Sequence, residues 1–161
     1  MALQIRTALP LSKGQVVLGK TIPSLLAQAA EQHPNPRAFN QPRESGGWMT
    51  MSNTDFRTAV DEIAAGFRAS GFERGDHVAF FLNSDLYFQL FDFGSLIAGL
   101  VNVPLYTTYA PENLVYVTTH GEAKAMAVSN PEMLANFAGW ADQVPDVRLV
   151  ILAEGDGAGV T

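Results

Sequence analysis

Residues 14–21, Gly-Gln-Val-Val-Leu-Gly-Lys-Thr, fit the pattern GxxxxGK[ST]. In a true phosphate loop the backbone N–H groups wrap phosphates, and Lys20 and Thr21 would serve phosphate and magnesium. The surroundings oppose that chemistry. No apolar strand precedes Gly14, and Val16, Val17 and Leu18 are too bulky for a tight anion nest. Pro23 follows at once, and no apolar strand ending in Asp lies downstream. An ordinary loop, with Thr21 capping a helix, is the expected role. Residues 155–159, Gly-Asp-Gly-Ala-Gly, lack the GxGxxG spacing of a dinucleotide loop and read as linker. His33, His77 and His120 are not at metal-ligand spacing. Ser95 follows Gly94 but not in a G-x-S-x-G elbow. The chain has no cysteine, which excludes disulfides, thiolate nucleophiles and cysteine-bound zinc. Asp92 is the odd charge of an apolar stretch. It is expected to pair with an Arg, to cap a neighbouring segment, or to meet a partner domain.

Composition narrows the partners. Of the 161 residues, 47% are hydrophobic and 16% charged, enough apolar mass for one packed domain. The net charge of -6 argues against nucleic acid, which needs a basic patch. Lys and Arg are scattered, so no basic stripe faces an anionic membrane. The first ten residues lack an apolar run behind a basic start, so no secretory signal is read there and a cytoplasmic protein is expected. Residues 86–105 match a membrane span in length, but Gln89, Asp92, Asn102 and Pro104 interrupt them. A buried helix followed by a buried strand is the better reading.

The positioning elements follow from periodicity. Thr21 with Pro23 opens a helix with Leu25, Leu26 and Ala29 as its buried stripe, ending before His33-Pro34. Residues 38–40 and 48–50 form short strands around Gly46-Gly47. Ser52 or Asn53 caps a helix whose Phe56, Val60, Ile63, Ala64 and Phe67 repeat at helical spacing. Residues 77–82, His-Val-Ala-Phe-Phe-Leu, read as a strand covered on both faces, with Asn83 and Ser84 capping the next helix. Residues 101–106, 124–128 and 148–152 are three further strands. Pro111 and Pro131 open the helices between them, the second running to about Trp140. Strands alternating with helices predict an α/β fold: a mostly parallel sheet of about four strands flanked by helices, with a small N-terminal helix and hairpin. Ligands in such sheets settle beyond the carboxyl ends of the strands. That places Asn83, Tyr106 and Thr107 as candidate substrate-binding residues at a cleft edge, beside the plainer reading that they close turns.

The order and wording of these segments resemble the AMP-forming acyl-CoA synthetases, the adenylate-forming superfamily. The resemblance covers Thr21 to about Leu152. Its markers are WMTMS (48–52), GFERGDHVAFFLNS (71–84) and AGLVNVPLYTTYAPENLVYVTTHGEAKAMAVS (98–129). The PLYTT phrase with PENL behind it is most similar to the long-chain fatty acyl branch. The resemblance implies a parent that joins a fatty acid to ATP with Mg²⁺ and passes the acyl group to coenzyme A. The family's Pro-Lys phosphate loop, its Gly-Tyr-Gly-x-Thr-Glu segment, its ribose-binding Asp and its C-terminal Lys do not occur in residues 1–161. The chain is therefore expected to be an inactive scaffold portion with no catalytic residue, no metal ligand and no cofactor of its own. Its implied partner is the remainder of the synthetase. Residues 1–20 form an irregular arm, 21–152 the α/β subdomain and 153–161 a linker to that remainder. Apolar surface left bare is expected to favour self-association. Two other readings stand beside this one: a stand-alone flavodoxin-like binding module, and a P-loop nucleotide binder.

Overall fold

A computed structural model describes residues 21–43 and 46–155. The expected N-terminal arm, most of the GxxxxGK[ST] match and the end of the expected linker lie outside these residues. Thr21 caps helix α1 (Ile22–Gln32), its hydroxyl accepting the Ser24 N–H at 3.3 Å, with Pro23 in the first turn. The expected buried stripe is narrower than read. Leu26 alone is buried, while Leu25 is half exposed and Ala29 exposed. The reason is that α1 packs on the molecule through one side only, against helices α2 (Asn53–Ala69) and α3 (Leu86–Ala98). Strands β1 (Phe39–Pro42) and β2 (Trp48–Met51) form the antiparallel hairpin, pairing Phe39 with Met51. Gly46 and Gly47 turn it at φ of 86° and 80°, where a side chain would be strained.

Ser52 caps α2, its hydroxyl accepting the Asp55 N–H at 3.0 Å. Asn53 has a different task. Its side-chain oxygen accepts the Asn35 N–H at 2.8 Å, and its amide donates to the carbonyls of Ala29 and His33. One buried amide thus ties the end of α1 to the start of α2.

The main sheet contains β3 (His77–Phe81), β4 (Val101–Pro104), β5 (Ala123–Val128) and β6 (Leu149–Leu152), in the order β4-β3-β5-β6 and parallel throughout. Helices α4 (Pro111–His120) and α5 (Pro131–Ala138) complete the crossovers. Alternation along each strand sorts two cores. Ala79, Phe81, Met126 and Val128 pack with Leu114, Phe137 and Trp140 of the α4–α5 side. Val78, Phe80, Ala125 and Ala127 pack with Phe67 and Phe91 of α2 and α3. Helices on both faces explain why these strands read as continuous apolar runs. Of α3, only Gln89 is exposed. No helix of the described residues is long and apolar enough to cross a membrane.

Three details differ from expectation. The second strand is not buried: among the described residues β4 is an outer strand, Val101 is 43% exposed, and pairing stops at Pro104. The fifth helix ends at Ala138 and a short 3-10 turn, Ala141–Gln143, follows Trp140. Asp92 pairs with an amide and not with an Arg. Its carboxylate accepts from Asn102 at 2.5 Å, and Asn102 in turn accepts from Ser95 at 2.6 Å, so the network locks α3 to β4.

At the opposite end of the sheet Asp76, only 12% exposed, accepts from the Glu73 N–H at 3.0 Å and from Lys124 at 2.6 Å, with Arg148 at 3.7 Å. The Glu73 N–H above all, then the Lys124 bond, hold its carboxyl below the ordinary 3.8, against the opposing push of burial. A depressed folded value makes this stabilisation complete above the unfolded value and lost as pH falls through the folded one. Thermal melting against pH should therefore show an acid limb below about pH 4. Asp76→Asn should lower the neutral-pH midpoint and flatten that limb. An unchanged limb in the variant would show that other carboxylates carry it.

Candidate functional site

The chain steps from β3 outward to β4, then crosses back to β5 on the other side of β3. Such a reversal opens a crevice at the carboxyl ends of the strands. The residues that leave β3 and β4 there line one cleft of about 500 Å³. Its apolar walls are Leu82, Phe88, Pro104 and Leu105, and its polar rim is Asn83, Ser84, Tyr106 and Thr107. The structure thus brings Asn83, Tyr106 and Thr107 together on one cavity. A neighbouring hollow of about 680 Å³ lies between β1 and the start of α3 and shares Ser84 and Phe88 with it.

Local sequence explains each position. Pro104 has no N–H, and the Leu105 N–H donates to the Phe80 carbonyl at 2.9 Å before the chain turns away. Tyr106 is left 71% exposed, its ring edge-on to Tyr109 at 5.1 Å, in a turn closed by the Tyr109 N–H on the Tyr106 carbonyl. The sequence offers Asn83 and Ser84 as caps of α3. Asp85 takes that role instead, its carboxylate accepting the Phe88 N–H at 3.1 Å, because α3 begins later than read. The Asn83 N–H donates to the buried Ser129 hydroxyl at 2.7 Å, which joins the β3 exit to the β5 exit. Gln41 of β1 accepts the Leu86 N–H at 2.7 Å and fastens the hairpin to α3. Sequence reasoning missed Ser129, Asp85 and Gln41. For Ser129 a signal existed: Ser-Asn-Pro directly after an apolar strand is the β5 counterpart of Asn83-Ser84.

The cleft lining contains no Lys, Arg, Asp or Glu. It suits neutral groups: an apolar chain or ring against Phe88 and Leu82, with hydrogen bonds to amide and hydroxyls at the rim. A triphosphate needs cations and magnesium needs carboxylates, so these residues do not fit ATP or Mg²⁺. Among the described residues no group of three His, Cys, Asp or Glu is placed to hold a metal. Beside the cleft, burial first, then the charges of Glu154 and Asp85, push the Tyr87 phenol above its ordinary 10.0.

Residues 26–161 match the family model described as AMP-binding enzyme. The chain belongs to that family. A long-chain-fatty-acid–CoA ligase of Drosophila melanogaster, heimdall, is 24% identical over 157 residues, which is 96% of this chain and 23% of that protein. An uncharacterised Mycobacterium tuberculosis protein, Rv1549, is 28% identical over 121 residues, 73% of this chain and 67% of that protein. Among solved structures, the N-terminal domain of FACL13 from Mycobacterium tuberculosis superposes with a TM-score of 0.69 at 22% identity. That alignment covers 84% of this chain and 34% of that one, and it shows the shared fold. The chain therefore spans 23% of the fatty acid ligase and 34% of the solved domain. The adenylate-forming resemblance read from WMTMS, HVAFFLNS and PLYTT is the family that the comparison finds, and the parallel α/β layer is the fold of its members.

Proposed function

We propose that the chain is the N-terminal scaffold portion of a long-chain fatty acid–CoA ligase and catalyses nothing alone. The parent reaction joins fatty acid, ATP and coenzyme A into acyl-CoA, AMP and pyrophosphate. Residues 21–152 serve as its first α/β subdomain, and residues 153–161 lead to the remainder of the synthetase, its principal partner. The single observation that carries this reading is the family match over residues 26–161, on a chain that spans 23% of a fatty acid ligase relative. The uncharged cleft agrees with it. Asn83, Tyr106 and Thr107 would contribute a wall for a neutral part of a substrate, while phosphate and magnesium chemistry belongs to the remainder. Neither the stand-alone flavodoxin-like module nor the P-loop binder is favoured by that match. Thr21, the last residue of the P-loop pattern, spends its hydroxyl on capping α1.

The test is direct. The purified 161-residue chain is incubated with a long-chain fatty acid, ATP, Mg²⁺ and coenzyme A, and acyl-CoA and AMP are measured. Background levels of both are the expected result. Turnover that Tyr106→Ala reduces would overturn the scaffold reading and make the cleft a working site.

A further inference from the structure

We draw no further inference here: the strongest candidate, the hollow of about 120 Å³ at the end of α4, lined in part by Thr118, whose buried hydroxyl has no partner among the described residues, carries nothing, because its two carboxylates, Glu122 and Asp146, are exposed and nothing in the structure shows the hydroxyl aimed toward them.

Discussion

Phe56→Ala should lower the unfolding free energy by about 3–5 kcal/mol. Phe56 is fully buried where three units meet. Its ring stacks on Phe39 of the hairpin at 4.1 Å and stands edge-on to Phe93 of α3 at 5.7 Å. Leu26 of α1 belongs to the same cluster. Truncation removes the ring's transfer energy and opens a cavity that the paired helices α2 and α3 cannot close without separating. A domain of this size has only about 5–15 kcal/mol in total, so the variant should be marginal. Urea unfolding followed by far-UV circular dichroism reads the change. A loss under about 1 kcal/mol would mean that the hairpin and α1 dock by something other than this ring.

Gly94→Val should cost about 3 kcal/mol or more, at the upper end of overpacking losses. In most helix interiors a glycine is a weakness, and alanine there gains about 1 kcal/mol. Gly94 reverses that sign because α2 runs against it. A Cβ built there would lie 2.5 Å from Ile63 Cγ2 and 2.8 Å from Ile63 Cβ, and the second atom cannot swing aside. Valine adds two further carbons to that clash. Gly66 on α2 is the internal control, since a Cβ there meets nothing within 4 Å. Gly66→Ala should stabilise by about 0.5–1 kcal/mol. Opposite signs at the two glycines, read by thermal melting, are the expected outcome. Equal signs would show that α2 and α3 are not held at this close approach.

The same contrast shows where sequence reasoning reached its limit. Gly66 and Gly94 look alike along the chain, and both sit in helix interiors. Only the crossing of α2 over α3 makes one of them indispensable. Asn53 is a similar case. Its position suggests a cap, yet Ser52 takes that role and Asn53 bridges to Ala29, His33 and Asn35. Those carbonyls and that N–H lie 18 or more residues away, so no local pattern could announce them.

What the sequence determined by itself was the inventory of elements and their order. Apolar runs at 77–82, 124–128 and 148–152, separated by helices opened at Pro111 and Pro131, require a parallel sheet, because backbone periodicity and proline geometry act locally. It also marked Asn83, Tyr106 and Thr107 through a rule about strand ends, and the wording that carried the family. What tertiary structure alone decided was the lateral order β4-β3-β5-β6. Among the described residues that order put β4 and β6 at the edges and left Val101 and Val150 partly in solvent. It also gathered Leu82, Phe88 and Pro104 into the wall behind the three marked residues. The physical reason is that strand order is a matter of pairing between segments distant in the chain. Two apolar strands of equal hydropathy become a centre and an edge only once their neighbours have been chosen.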